Sequence, residues 1–156
     1  MSVYTGLTVT DLTRSIKPQA ALKTLRRLSG WLKFSGQRVQ VLYVGPKRMA
    51  HFNQSFHHCP GPTDVLSFPD TEEPLGDLII CPAVVKKNAC RYGNSIRSEM
   101  DFVLLHGVLH LLGYTHSHPR ERARMERRER ALLKKLGYQE LPHWRGIGTE
   151  ASYPVK

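Results

Sequence analysis

At 156 residues, with 40% apolar and 23% charged residues, the chain has the size and balance of one globular domain, able to bury a core without disulfide staples. No apolar run approaches the roughly 18 residues of a membrane span, and the opening MSVYTGLTVTDLTRS lacks the basic-then-apolar pattern of a secretory signal, so a cytoplasmic protein is expected. Lys and Arg outnumber Asp and Glu by 23 to 13, a net charge of +10, which favours polyanionic partners such as nucleic acid or an anionic membrane surface. Cys59, Cys81 and Cys90 are odd in number and form no CxxC pair, as expected of free thiols.

In chain order, the β-branched stretch 2–10 reads as a strand. From Pro18 to Lys33, Ala21, Leu22, Leu25, Leu28, Trp31 and Leu32 recur at helical spacing. Residues 40–45, QVLYVG, read as a buried strand, and Lys47 to Phe56 as a short helix. HHCPGPTD at 57–64 is a loop by its Pro and Gly. VLSF at 65–68 and LGDLIICP at 75–82 are strands separated by the acidic turn PDTEEP. Residues 83–95 suggest a helix interrupted by Gly93, and a longer helix runs from near Ser98 to Gly113. A last helix starts between Ser117 and Pro119, reaches Leu136 and stops at Gly137. The pattern is α+β: a small mixed sheet with helices packed on it, as one domain over 1–141, with 142–156 as a loose tail.

The helix ending at Gly113 holds the unusual feature. HGVLHLLGYTH puts His106 and His110 four residues apart, and therefore on one helical face, among Phe102, Val103, Leu104, Leu105, Val108, Leu109, Leu111 and Leu112. His116 would point elsewhere on a continuing helix, but a glycine at a helix C-terminus turns the chain back and can bring it round. A His-x3-His pair alone is weak. With the glycine and the third histidine it becomes a specific signature of a three-imidazole metal site with an open fourth position. Core histidines satisfied by hydrogen bonds are the bland alternative, and His118 is a rival third ligand. Zinc, one ion per chain, suits the ligand set; nickel, copper and iron also accept imidazole. The expected chemistry is hydrolytic, because such an ion acidifies water and polarises the bond to be broken. In zinc peptidases with HExxH, the second position is a glutamate base; here Gly107 stands there, which argues against peptide hydrolysis.

Three acids are candidates for catalytic roles beside a structural reading. Asp64 either orders its loop or orients a ligand histidine and accepts a proton. Asp77 is divided between turn structure and the same task. Glu99, in the first turn of the histidine helix, suits the helix dipole in any case. The last helix carries Arg120, Arg122, Arg124, Arg127, Arg128, Arg130, Lys134 and Lys135 against Glu121, Glu126 and Glu129. It is either a solvated face with acid–base pairs or an RNA backbone track, with Arg120, Arg124, Arg127 and Arg128 as candidate contacts.

PTDVLSFPD at 62–70, LGDLIIC at 75–81 and HGVLHLLGYTH at 106–116, in the family's order and at compatible spacing, resemble the YbeY family of bacterial and organellar rRNA maturation factors. The resemblance implies a metal-dependent single-strand endoribonuclease with zinc on His106, His110 and His116. It also implies work on the 3′ end of small-subunit 16S rRNA and in ribosome quality control, with a small-subunit ribosomal protein and the GTPase Era as partners. Two departures stand out. The family often has an arginine before PTDVLSFP, where this chain has His57, the candidate phosphate contact. Many members have Asp before the third histidine, where this chain has Thr115. The rival from another class is a non-catalytic ribosome assembly factor with a structural metal and a basic docking surface.

Overall fold

A computed structural model describes residues 6–72 and 75–138. The elements are β1 (Leu7–Asp11), α1 (Pro18–Trp31), β2 (Arg38–Tyr43), α2 (Pro46–His57), β3 (Val65–Pro69), β4 (Leu75–Ile80), α3 (Pro82–Tyr92), α4 (Ile96–Leu111) and α5 (Pro119–Lys135). The tail expected over 142–156 lies outside the described residues.

The strands form one sheet in the order β1-β2-β4-β3. β1 pairs with β2 and β2 with β4 in parallel, while β3 joins β4 antiparallel, so the sheet is mixed as expected. Alternation along the strands assigns the two faces. Val39, Val41 and Tyr43 of β2 and Leu78 and Ile80 of β4 join the main core with α1 and α4. Leu66, Ile79 and Leu42 point the other way, into a smaller cluster with Met49 and Phe52 of α2.

α4 is the central helix. It is apolar on nearly every side, with Phe102, Val103, Leu104, Leu105, Val108 and Leu109 all buried, as befits a helix enclosed by its neighbours. It starts earlier than its apolar run predicts, because Ser95 caps it: Ser95 Oγ accepts from the Ser98 amide at 3.0 Å. The preceding helix, α3, stops at Tyr92 and does not pass Gly93, which takes the left-handed conformation at φ +70°. No helix among the described residues is long and apolar enough to cross a membrane.

Candidate metal centre

α4 delivers His106 and His110 one turn apart, and the end of the helix delivers His116. Gly113 sits at φ +94°. Its amide bonds the His110 carbonyl at 3.0 Å, and the Tyr114 amide bonds the Leu109 carbonyl at 3.0 Å. That pair of bonds is a Schellman closure, which satisfies the last carbonyls of the helix and reverses the chain. The reversal places His116, 4% exposed, against the other two rings. Ring centroids lie 4.6 Å apart for His106–His110, 5.0 Å for His110–His116 and 6.0 Å for His106–His116. One nitrogen from each ring lies within 4.8 Å of the others, so the three could hold a metal ion. His118 is not in the group; it is exposed and occupies the N-cap position of α5.

The outer contacts of the rings favour a ligand set over a merely buried one. His110 Nδ1 lies 2.9 Å from the Tyr114 carbonyl, an oxygen that only accepts, so Nδ1 carries the proton and Nε2 a lone pair. His106 Nδ1 lies 2.5 Å from Glu129 Oε1, which leaves its Nε2 facing His110 Nε2 at 3.0 Å. Two nitrogens turned toward each other at that distance need a proton or a cation between them. Three imidazoles on a tetrahedral ion at ~2.0–2.1 Å would hold their nitrogens about 3.3 Å apart, close to the 3.0 Å of the His106–His110 pair and inside the 4.8 Å that encloses all three. Burial, reinforced by His106 and His116, pushes His110 down to about 3 despite the bond to the Tyr114 carbonyl. Burial also lowers His116, against the pull of Glu129. Neutral imidazoles at pH 7 are the form that ligates metal.

Glu129 is the residue that sequence reasoning missed. It was counted among the charges of α5, yet it is 1% exposed and the partner of His106. Burial, with Glu126 nearby, pushes its carboxyl up to about 8, while His116 and Arg130 pull it back, so a cation at the histidines is what would hold it as a carboxylate at pH 7. A carboxylate behind a ligand histidine fixes ring orientation and raises ligand basicity. The signal was available in the helical spacing: Met125, Glu129, Leu132 and Leu133 form the buried stripe of α5.

Among the described residues, the group of ligand atoms formed by the three histidines includes none of the three candidate acids. Asp64 is buried in its own loop, accepting from the Val65 amide at 2.9 Å and from Asn88 Nδ2 at 3.5 Å. Asp77 lies on the opposite sheet face from α4 and is bridged to Arg38 at 2.8 Å. Glu99 accepts from Asn94 Nδ2 at 3.0 Å and precedes His106 by seven residues, about 10 Å along the helix axis. His57 also sits away from the centre, at the end of α2, its ring 6.4 Å from that of Phe68. Among the described residues, His57, His58 and Cys59 form no further ligand cluster.

Two substitutions within the histidine motif acquire local explanations. A Cβ on Gly107 would lie 2.8 Å from Leu78 Cδ2 of β4, so glycine is what lets α4 lie close on the sheet; a glutamate has no room there. Thr115 hydrogen-bonds through Oγ1 to Glu121, tying the turn to the first turn of α5. Of the candidate RNA contacts, Arg120, Arg124 and Arg127 are exposed and Arg128 is half-buried; the spacing i, i+4, i+7, i+8 places them on one side of α5. Arg124 lies over the Tyr114 ring at 4.8 Å, beside the turn that holds His110.

The profile of the Endoribonuclease YbeY family matches residues 11–137. The chain belongs to that family. It is 42% identical over 107 residues to Endoribonuclease YbeY of Thermobifida fusca, covering 61% of this chain and 69% of that one. It is 35% identical over 128 residues to that of Rhodococcus erythropolis, covering 73% and 69%, and 36% over 126 residues to that of Bifidobacterium adolescentis, covering 74% and 67%. The matched stretch thus spans about two thirds of each of these relatives. The solution structure of a Thermotoga maritima protein shares the fold with a TM-score of 0.60 at 24% identity, over 90% of this chain and 99% of that one.

Proposed function

We propose that this chain is a zinc-dependent endoribonuclease of single-stranded RNA. We assign it to maturation of the 3′ end of 16S rRNA and to ribosome quality control in the cytoplasm. The observation that carries the proposal is the convergence of His106, His110 and His116, with Nδ1 of two rings engaged by Glu129 and the Tyr114 carbonyl. His106, His110 and His116 would hold the ion, which would supply acidification of water and polarisation of a phosphodiester. The chain's own groups do the rest. Glu129 and the Tyr114 carbonyl hold the two helical imidazoles in the tautomer that ligates. The half-exposed His110 marks the side on which substrate enters. Arg120, Arg124, Arg127 and Arg128 lie beyond the Tyr114 turn, where they suit the phosphates of a bound strand. A small-subunit ribosomal protein and the GTPase Era are the partners we propose, on the family resemblance.

The test is metal analysis joined to a cleavage assay on a defined single-stranded RNA. One zinc per chain, with cleavage lost on chelation and regained on adding zinc, is the expected result. Binding of RNA or ribosomal subunits without turnover, with chelator-induced unfolding, would instead make this an assembly factor with a structural metal.

A further inference from the structure

Among the described residues, the sheet face away from α4 packs against Met49 and Phe52 of α2 and Val84 of α3, and this cover leaves part of the face open. The strand register sets Phe68 of β3, Asp77 of β4 and Gln40 of β2 in one row across that face. With Leu42, Phe52 and Phe56 they line an open cavity of about 330 Å³. Phe56 is 56% exposed, an unusual setting for a ring that is also held in place. It meets Phe68 edge-on, with centroids 5.1 Å apart, and lies near-parallel to Phe52 at 6.1 Å. A single exposed apolar side chain is ordinary. Three contiguous rings around a cavity floored by polar side chains form a built surface.

The polar groups are equally specific. Arg38 Nη1 donates to Asp77 Oδ1 at 2.8 Å and reaches Gln40 Oε1 at 3.4 Å, and Nη2 donates to Asp70 Oδ2 at 2.9 Å. Asp77 Oδ2 and the Gln40 amide nitrogen thereby keep an acceptor and a donor side by side at the cavity. The wall made by α2 carries Lys47, Arg48, His51 and His57 and no carboxylate. His57 lies over Phe68 at the end of that wall. Apolar rings, a paired acceptor and donor, and a basic rim together match a nucleotide better than an apolar protein segment, which would leave the basic rim without a counterpart and the second Asp77 oxygen and the Gln40 amide without hydrogen bonds.

We infer that this open face binds one unpaired nucleobase of the single-stranded RNA, with its ring on Phe56 and Phe68, its Watson–Crick edge toward Gln40 and Asp77, and its phosphates along α2. Single-stranded bases are commonly recognised by stacking on aromatic side chains with hydrogen bonds to the exposed edge. Guanine, with adjacent N–H donors on that edge, suits the Asp77 carboxylate better than uracil, whose one N–H lies between two acceptors. The inference rests on the endoribonuclease reading, but it concerns a face separated from the histidines by the sheet.

The experiment is fluorescence anisotropy of labelled single-stranded RNA hexamers differing at one base, on wild type, Phe56→Ala, Phe56→Tyr and Gln40→Ala, with metal content measured on each. Stacking lost on alanine substitution corresponds to about tenfold weaker binding, on the scale of roughly 1–3 kcal/mol per base. The expected pattern is a guanine-over-uracil preference in wild type, that loss in Phe56→Ala, near-wild-type affinity in Phe56→Tyr, and weaker binding in Gln40→Ala, with metal content unchanged throughout. Wild-type affinity in both Phe56→Ala and Gln40→Ala overturns the inference, while metal-dependent cleavage by the same proteins leaves the endoribonuclease reading standing. Unchanged RNA affinity with lost retention on small ribosomal subunits makes the face a protein-docking surface and also overturns it. Wild-type protein that neither binds nor cleaves RNA removes both readings.

Discussion

The two faces of the sheet are built on opposite terms. On one side α4 lies so close that Gly107 meets Leu78 with no room for a methyl group, and every histidine of the centre is held by the core or by the turn beside it. On the other side α2 leaves Phe56 exposed and a cavity open. The closed face can fix the ring positions that ligation demands, because its packing leaves side chains few alternatives. The open face cannot impose such precision, but it presents aromatic and hydrogen-bonding surface to a ligand arriving from solvent. The difference teaches a division of labour: chemistry where the fold is tight, recognition where it is loose.

The largest effect should come from breaking the closed face at its ligands. His110→Ala removes the half-exposed imidazole between the other two rings. Bound zinc by elemental analysis should fall to near zero, with cleavage abolished, while Phe56→Ala keeps its metal. His106→Ala and His116→Ala should behave alike. Wild-type metal content in all three variants would end the metal-site reading.

Next in size is Glu129. Glu129→Gln keeps the shape and an acceptor for the His106 Nδ1 proton but loses the carboxylate. Zinc affinity should fall about 10- to 100-fold, in line with the usual loss of a carboxylate behind a ligand histidine. A competition titration against a chelator measures this. An unchanged affinity would reduce Glu129 to a packing residue.

How legible all this was from sequence differs between the two faces. The histidine centre was readable because its determinants are local: a four-residue spacing and a glycine that permits φ +94°. His116 joins the other two rings through the same turn, whereas His118 stands at the N-cap of α5, outside the group. Glu129 was obscured by its neighbours, since Glu126, Arg127, Arg128 and Arg130 make the segment read as a solvated charge run although its spacing to Met125 and Leu132 is that of the core. Asp77, which the sequence left between turn structure and a catalytic task, lies on β4, where period-two alternation turns it to the face away from α4, beside residues of β2 and β3 that no local pattern connects to it. The open cavity is a product of register, and register between distant strands is not a local property.

Gly107 offers a test of how tight the closed face must be. Gly107→Ala places a methyl 2.8 Å from Leu78 Cδ2, in a core where Leu78 is fully buried. Alanine favours helix by about 1 kcal/mol over glycine, whereas overpacking costs roughly 1–3 kcal/mol. The net expectation is a loss of stability of about 1 kcal/mol, visible as a lower urea midpoint with an unchanged slope. Greater stability than wild type would show that α4 can lift from the sheet freely.

The smallest effect sharpens the comparison most. If α5 contributes charge and the α2 face contributes stacking, substitutions in the two regions should weaken RNA binding in physically different ways. Arg124 lies over Tyr114, next to the carbonyl that holds His110. A phosphate contact made by it releases a counterion, and on single strands each such contact adds about 0.7 to the slope of log affinity against log salt. Arg124→Gln should therefore lower affinity only a few-fold at physiological salt, reduce that slope by about 0.7, and leave base preference untouched. Phe56→Ala should do the reverse, lowering affinity at every salt concentration with the slope preserved. Anisotropy titrations across a salt series, on the two single variants and the double, separate these outcomes. Losses that simply add in the double variant mean independent contacts on one strand. A slope unchanged in Arg124→Gln would leave that arginine as a clamp on the Tyr114 ring and take it out of the RNA track.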